Sequence, residues 1–163
     1  LVDGFAIDIV NGDVPEQLKA AQLFELDLGA LIAGASYKGE IEDRLKKIIA
    51  EIKGFDKAIL FIDEIHTLLD SKGRIGWGAG NLHKPELARG EITVIGATTL
   101  EEYRKIIEPE QAFSRRFELL QITEPSEERA VKMLEKVLDK YEQHHGLTLD
   151  PAALPIIVSL SKR

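Results

Sequence analysis

The 163-residue sequence contains no cysteine, which excludes disulfide bonds, thiolate catalysis and zinc sites with thiolate ligands. No stretch approaches the ~18 apolar residues that a membrane-spanning helix needs, and no basic and then apolar leader resembles a signal peptide. Basic residues are not in excess either, because the formal net charge is −7 at pH 7. Proteins that bind nucleic acid mainly through charge show the opposite balance. We therefore expect a cytoplasmic protein, with no membrane segment and with nucleic acid as an unfavoured partner.

Apolar segments and helical periodicity alternate over the first 124 residues. The strand candidates are Leu23–Leu28, Ala58–Ile62, Ile92–Gly96 and Phe117–Ile122. Between the first two, a glycine-punctuated loop (Gly29 to Gly39) precedes a helix whose apolar stripe is Ile41, Leu45, Ile48, Ile49 and Ile52. Alternation of this kind predicts βαβ units. We therefore expect an α/β fold, a parallel sheet with helices on both faces.

The character of the sequence changes at Pro125, beyond which every segment has helical periodicity. Ser126 is a good N-cap, and Gly146 is placed to end the helix that it begins. Asp150 and Pro151 then suit the start of one more helix. We expect an α/β domain at residues 1–124 and the beginning of a small helical domain at residues 125–163.

Two adjacent carboxylates follow the buried strand candidate Ala58–Ile62. Open α/β sheets bind ligands at the carboxyl ends of their strands, so Asp63 and Glu64 occupy a favourable place. Asp63 can hold a Mg²⁺ ion through water, and Glu64 can orient or deprotonate an attacking water in nucleotide hydrolysis. The alternative is a strand that happens to end in Asp-Glu before a loop.

Two further signals lie downstream. Thr99 closes the next strand candidate, where its hydroxyl can bond a phosphate oxygen or the attacking water, although threonine is also a common strand residue. Arg115 and Arg116 precede Phe117. An arginine there can stabilise the charge of a neighbouring subunit's nucleotide, whereas the alternative is a surface pair that aids solubility.

An aromatic residue lies within the segment Gly34–Glu40. Tyr37, followed by Lys38 and Gly39, can grip a partner from this position, or its ring can pack on its own domain. The four histidines (His66, His83, His144 and His145) form no metal-binding helix pair, and we interpret them as structural or surface residues.

In their order and spacing these signals resemble those of one family, the first nucleotide-binding domain of ClpB-type and ClpA/ClpC-type AAA+ unfoldases. The similarity covers essentially the whole chain. The matching stretches are Val10–Glu16, Leu26–Gly34, Tyr37–Leu45, Ile59–Thr67, Leu87–Glu91, Gly96–Arg104, Arg115–Phe117 and Glu124–Ser126.

The resemblance implies a role for each of these residues. Asp63 and Glu64 resemble the Walker B pair, with ATP and Mg²⁺ as cofactors, and Thr99 resembles the sensor-1 residue. Arg115 and Arg116 resemble arginine fingers that act across subunits of a homo-hexamer. Tyr37, Lys38 and Gly39 resemble the first pore loop, which grips unfolded or aggregated polypeptide, and Ser71–Gly80 falls where a second pore loop would be. The implied function is ATP-driven unfolding or disaggregation by threading polypeptide through the ring.

The sequence departs from the family at three points. Ser114 stands where relatives usually carry Glu, and any sensor-2 arginine would lie beyond Arg163. The pattern G-x-x-x-x-G-K-[ST] does not occur in the 163 residues. In the family that phosphate-binding loop and its strand lie just before this stretch, so we expect an excised or incomplete portion of a longer protein. Two alternatives stay open: an assembly module without nucleotide turnover, and an AAA+ switch of the clamp-loader or helicase-loader type.

Overall fold

The computed structural model describes residues 1–69 and 92–162, which belong to two compact units, Leu1–Leu119 and Leu120–Arg163. The Ser71–Gly80 segment, where the resemblance implies a second pore loop, lies outside the described residues. The first unit contains α1 (Val2–Asn11), a 3₁₀ turn (Glu16–Leu18), β1 (Gln22–Glu25), α2 (Leu28–Ile32), α3 (Lys38–Ile52), β2 (Ala58–Ile62), α4 (His66–Leu69), β3 (Thr93–Gly96), α5 (Leu100–Glu102) with a π turn (Tyr103–Ile107), and α6 (Gln111–Ser114).

The three strands form a parallel sheet in the order β1-β2-β3. Leu23 pairs with Ile59 at one side of β2, and Ile62 pairs with Gly96 at the other. β2 lies in the middle and is almost entirely buried, as its uninterrupted apolar sequence predicts. The expected parallel α/β architecture is therefore confirmed, and it brings the ends of all three strands to one edge.

Helix α3 supplies much of the core. Its predicted stripe is confirmed, since Leu45 and Ile49 are fully buried beside Leu60 and Ile62 of β2. Residues three and four apart lie on one face of a helix, which is why this spacing buries a continuous apolar row. The helix is thereby fixed to the strand that ends at Asp63.

The strand predicted at Phe117–Ile122 is wrong. Residues 117–126 form neither helix nor strand, and Leu119, Leu120 and Ile122 are 50%, 76% and 64% exposed. A strand needs an adjacent strand for its backbone N–H and C=O groups, and the sheet of the described residues consists of β1, β2 and β3. The apolar sequence of this segment alone therefore does not make it a strand.

Two smaller expectations also need correction. Part of the loop expected at residues 29–39 is helical, because Asp27 caps α2 by accepting a hydrogen bond from Ala30 N at 2.9 Å. The strand candidate Ile92–Gly96, whose apolar sequence predicts burial on both faces, forms β3 but is only partly buried. It has a paired strand on one side only within the described part of the chain.

The second unit contains α7 (Glu127–His145), a 3₁₀ turn (Pro151–Ala153) and α8 (Leu154–Ser161). Ser126 caps α7 by accepting from Arg129 N, and Gly146 ends it with a φ of 65°. Asp150 caps the following turn. These three helix boundaries agree with the sequence prediction. No helix in residues 1–69 or 92–162 is long and apolar enough to cross a membrane.

Candidate functional site at the strand ends

Backbone hydrogen bonds continue the sheet beyond the last strand residues. Leu26 N donates to Phe61 O at 2.9 Å, and Ala97 N donates to Ile62 O at 3.0 Å. Ile65 N in turn donates to Ala97 O at 3.0 Å. The main chain after each strand is therefore tied to its neighbour, and the residues that follow β1, β2 and β3 lie at a common edge.

Gly96 permits this close approach. A Cβ atom added there would lie 2.7 Å from Cδ1 and 2.9 Å from Cγ2 of Ile65, nearer than real contacts allow. Ile65 is itself buried. The absence of a side chain at Gly96 therefore lets the Asp63–Ile65 segment lie directly against the end of β3.

Asp63 and Glu64 are both exposed at the end of β2. Glu64 has a φ of 48°, in the left-handed region that few residues other than glycine adopt. This conformation is held by Asp63 Oδ1, which accepts from Glu64 N at 2.9 Å, and by the hydroxyl and amide of Thr67, which donate to Glu64 O. Strained backbone that its surroundings hold in place is a feature of functional sites.

The two acids line an open cavity of about 410 Å³. Its other lining residues are Glu25, Leu26, Asp27 and Leu28, which follow or end β1. Asp27 already caps α2, so one of its oxygens is occupied. The sequence prediction singled out Asp63 and Glu64, but it did not foresee that the end of β1 forms the opposite wall.

The donor set at Asp63 is compatible with magnesium. Mg²⁺ keeps several waters and binds through one or two carboxylates together with substrate phosphates. Among residues 1–69 and 92–162 no group of three or more His, Asp or Glu side chains could hold a metal by itself. An exposed single carboxylate at the strand end therefore fits an ion that arrives with a nucleotide.

Thr99 lies on the neighbouring loop and begins α5. Its hydroxyl donates to Glu102 Oε2 at 2.8 Å and accepts from Glu102 N at 3.2 Å, so Thr99 is the N-cap of α5. The Thr-x-x-Glu spacing is visible in the sequence, and the sequence analysis missed it. Because a hydroxyl has one proton and two lone pairs, Thr99 keeps one lone pair for a further donor.

His66 connects α4 to this loop. Its Nε2 lies 3.1 Å from Glu102 Oε1, and its Nδ1 lies 2.9 Å from Thr98 Oγ1. The imidazole ring therefore lies between the Glu102 carboxylate and the Thr98 hydroxyl. The hydrogen bond from Thr99 lowers the pKa of Glu102 below its ordinary value of 4.5, and the charge interaction with His66 acts in the same direction. The interpretation of His66 as structural agrees with this bridge, but its link to the threonine loop was not foreseen.

Tyr37 is the N-cap residue of α3 and is 69% exposed. The edge of its ring lies near Gly39, where an added Cβ would be 3.4 Å from Tyr37 Cε2. Lys38 is the first residue of α3. Of the two interpretations of this tyrosine, the exposed ring favours the one in which it is available to a partner.

Arg115 and Arg116 are exposed and follow α6. Neither lines the cavity at Asp63 and Glu64. Within the described part of the chain, the structure brings Asp63 and Glu64 together and sets Thr99 on an adjoining loop. The arginine pair and the tyrosine loop lie apart from that cavity.

Two family models match the sequence. One, described as ATPase family associated with various cellular activities (AAA), matches residues 12–124. The other, described as AAA lid domain, matches residues 126–163.

Relatives align over the whole chain. It is 49% identical to chaperone protein ClpB 1 of Synechocystis and 51% identical to chaperone protein ClpB of Rhodopseudomonas palustris, in each case across 100% of this chain and 19% of the relative. The resemblance to ClpB-type AAA+ domains is thereby confirmed. The chain spans about a fifth of the length of these relatives.

Solved structures agree with the sequence relatives. A Saccharomyces cerevisiae Hsp104–ADP complex matches with a TM-score of 0.82 and 45% identity. An Hsp104–casein complex from the same yeast, in an extended conformation, matches with a TM-score of 0.85 and 45% identity. Each match covers 99% of this chain and 28% of the Hsp104 chain.

Proposed function

The chain belongs to the AAA family of ATPases, and from this premise we propose that it hydrolyses ATP within a homo-hexameric ring that unfolds or disaggregates proteins by threading them. The observation that carries the proposal is the cavity at the end of the central strand, where Asp63 and Glu64 lie on a strained, hydrogen-bonded turn. The similarity to ClpB and Hsp104 supports the same function. A cytoplasmic location belongs to this proposal.

The two acids take different roles at this edge. Asp63 would hold Mg²⁺ through water, and the ion would supply positive charge to the phosphates. Glu64 orients the attacking water and accepts its proton as the water oxygen bonds to the γ-phosphorus and the bond from that phosphorus to the bridging oxygen breaks, which releases ADP. Its exposed carboxylate and fixed backbone suit a base that must reach a water in the cavity.

Thr99 assists the same water. Its proton is already donated to Glu102 Oε2, so a bond from Thr99 to a phosphate oxygen would require that link to break. The free lone pair of its hydroxyl can accept from the water without any rearrangement. We therefore assign Thr99 as an acceptor that orients the water beside Glu64.

Residues outside the cavity act in the assembled ring. Arg115 and Arg116, exposed after α6, extend toward a neighbouring subunit's nucleotide and stabilise charge on the transferred phosphoryl group. Tyr37 grips the polypeptide, with Lys38 and Gly39 beside it, and the exposure of its ring supports this role. One of the related Hsp104 structures is a casein complex. The α/β domain at residues 1–124 carries these sites, and the helical segment at residues 125–163 begins a lid.

Replacement of Glu64 tests the catalytic proposal in the full-length protein. Glu64→Gln keeps the shape of the side chain but cannot accept a proton, so ATP turnover should fall at least ~100-fold while ATP binding and assembly persist. Glu25→Gln is the matched control, since Glu25 lines the same cavity from β1, and its turnover should stay within about twofold. Turnover of Glu64→Gln within threefold of wild type would remove Glu64 from its role.

The pattern G-x-x-x-x-G-K-[ST] does not occur in the 163 residues, so nucleotide binding by these residues alone separates the ATPase from the alternative, an assembly module without turnover. Affinity for phosphates comes largely from the backbone N–H groups and lysine of that loop. Even millimolar affinity requires about 4 kcal/mol. Asp63 would reach the nucleotide only through Mg²⁺, and Thr99, if its hydroxyl turned from Glu102 to a phosphate, would supply at most one neutral hydrogen bond of roughly 0.5–1.5 kcal/mol. The 163 residues alone should therefore show no ATP binding below millimolar concentration and no ATPase activity. A micromolar dissociation constant in calorimetry with Mg-ATP would show that the phosphate site lies within these residues.

A further inference from the structure

One arginine on α3 joins the two sides of the segment between α2 and α3. Nη1 of Arg44 donates to the backbone oxygen of Ala33 at 2.7 Å and to that of Leu31 at 3.1 Å. Its Nη2 donates to Glu40 Oε1 at 2.8 Å. The guanidinium thus binds the carboxyl end of α2 and the first turn of α3 at once.

Glu40 extends this contact to the backbone just before Tyr37. Its Oε2 accepts from Ser36 N at 3.1 Å. The hydrogen bond from Ser36 lowers the pKa of Glu40, and the hydrogen bond from Arg44 lowers it further. Glu40 is therefore charged at neutral pH, and the Arg44–Glu40 pair holds both flanks of the Gly34–Ala35 turn.

Within residues 1–69 and 92–162 few other contacts fix Tyr37, whose backbone oxygen accepts from Glu40 N at 3.1 Å. The ring is 69% exposed, and the residue caps α3 without a side-chain cap bond. Gly34, three residues before it, adopts a φ of 69°, so the turn depends on an unusual backbone conformation. The position of the ring is therefore set by the backbone at Ser36 and by the first turn of α3, the two places where Glu40 acts.

We propose that Arg44 is a positioning residue, which fixes the Tyr37 segment on α3 so that the tyrosine engages polypeptide from a preorganised backbone. This inference rests on the proposed gripping role of Tyr37. Fixing a loop before binding reduces the entropy that is lost when the partner binds. Helix α3 also packs through Leu45 and Ile49 onto β2. The bonds of Arg44 and Glu40 therefore attach the Tyr37 segment to a helix that is fixed to the strand ending at Asp63.

The geometry also indicates which substitutions of Arg44 should release the Tyr37 segment. A guanidinium is a planar fork that reaches three acceptors, whereas a lysine ammonium is a point charge that cannot match this arrangement. Arg44→Gln and Arg44→Lys should both loosen the segment, although lysine keeps the charge. Lys47→Gln is the matched control, because Lys47 is an exposed cation one turn along the same helix.

The test compares basal and polypeptide-stimulated ATP turnover of the full-length protein, with unfolded casein as the probe. For Arg44→Gln and Arg44→Lys, the casein concentration for half-maximal stimulation should rise about tenfold while basal turnover stays within twofold. Lys47→Gln should match wild type in both. The proposal would be overturned if the casein concentration for half-maximal stimulation of Arg44→Gln stayed within twofold of wild type. It would also be overturned if basal turnover fell about tenfold as well, because that would indicate a general loss of structure.

A further variant, Tyr37→Ala, separates this inference from the proposed function. If Tyr37→Ala leaves casein stimulation unchanged, the gripping role of Tyr37 fails, whatever Arg44 does. If Tyr37→Ala abolishes stimulation but Arg44→Gln does not weaken it, only the inference about Arg44 fails.

Hydrogen exchange checks the cause directly: the Ser36 amide should exchange about tenfold faster in both Arg44 variants while the β2 amides stay as protected as in wild type. Unchanged exchange at Ser36 would overturn the proposal.

Discussion

The sheet edge and the tyrosine segment position their functional side chains by different means. At the edge, the main chains after β2 and β3 bond directly to each other, as Ile65 N does to Ala97 O. In the tyrosine segment, the fixed points are supplied by the side chains of Arg44 and Glu40 on α3. A site placed by backbone pairing depends on shape and packing, whereas one placed by a salt bridge depends on two particular side chains.

This difference suits the proposed tasks. Hydrolysis requires groups held to a fraction of an ångström, and the paired backbone after buried strands supplies that rigidity. In the proposed gripping role, the segment contacts polypeptides of different sequences. An exposed ring on a turn that Arg44 and Glu40 hold by hydrogen bonds suits that role. The experiments that follow test whether the two regions respond to mutation as differently as their contacts predict.

The largest expected effect concerns a third region, the arginine pair. Arg115→Ala and Arg116→Ala should each reduce ATP turnover of the assembled ring, by up to ~10³-fold, because an arginine finger stabilises the transition state from a neighbouring subunit. Polypeptide binding through Tyr37 should persist. Mixing Arg115→Ala subunits with Glu64→Gln subunits checks the action in trans, because the arginine of a Glu64→Gln subunit can then serve the intact Glu64 of an Arg115→Ala neighbour. Mixed rings with no more turnover than the two variants alone would argue against it.

Substitution of Gly96 tests the packing of the edge. Gly96→Ala forces a methyl group against Ile65, and overpacking of this kind destabilises by ~1–3 kcal/mol, so the β3 amides should exchange roughly 5- to 150-fold faster. Gly34→Ala is the matched substitution in the tyrosine segment, where space is free and only the positive φ opposes it. Its effect should stay local to residues 33–37. If Ile65→Ala partly restores the protection of the β3 amides in Gly96→Ala, the contact between residues 96 and 65 is the cause. If the effects of the two substitutions simply add, this contact is not the cause.

A smaller change is expected at Thr99. Thr99→Ala removes a helix cap and a hydrogen bond, so turnover should fall by up to about tenfold, since one neutral hydrogen bond contributes roughly 0.5–1.5 kcal/mol. Thr99→Ser retains the hydroxyl and should stay near wild type. Thr98→Ala, which leaves the α5 cap intact, serves as the control. Equal losses in Thr99→Ser and Thr99→Ala would mean that the methyl group, and not the hydroxyl, matters.

The smallest effect is a pH dependence of the Thr99–Glu102 link. The pKa of Glu102 is lowered in the folded chain, so its contribution to stability is fully present above the ordinary value of 4.5 and is lost as pH falls through the lowered pKa. Carbon-13 titration of the Glu102 carboxyl group should therefore show a midpoint below 4.5, and Thr99→Ala should raise that midpoint. A midpoint that Thr99→Ala leaves in place would contradict the assigned cause.

Local sequence determined much of the fold and the outline of the site. The spacing of Ile41, Leu45 and Ile49 fixes which face of α3 is buried, because helical geometry repeats every 3.6 residues. Ser126 and Gly146 set the limits of α7 through hydrogen bonds to residues three and four positions away, from Arg129 N to Ser126 and from Gly146 N to Glu142 O. The uninterrupted apolar run before Asp63 placed the acid pair at a strand end, since the carboxyl ends of parallel strands form the binding edge.

Tertiary structure decided what depends on partners distant in sequence. Phe117–Ile122 has the composition of a strand, but strand formation requires an adjacent backbone, which composition does not encode. The bridge from His66 to Glu102 joins residues 36 positions apart, and the bond from Arg44 to Ala33 follows from how α3 is oriented after the turn at Gly34. Periodicity and capping act within a few residues, so the sequence alone could propose Asp63, Glu64, Thr99 and Tyr37 as site residues, whereas only folding determined which side chains hold them in place.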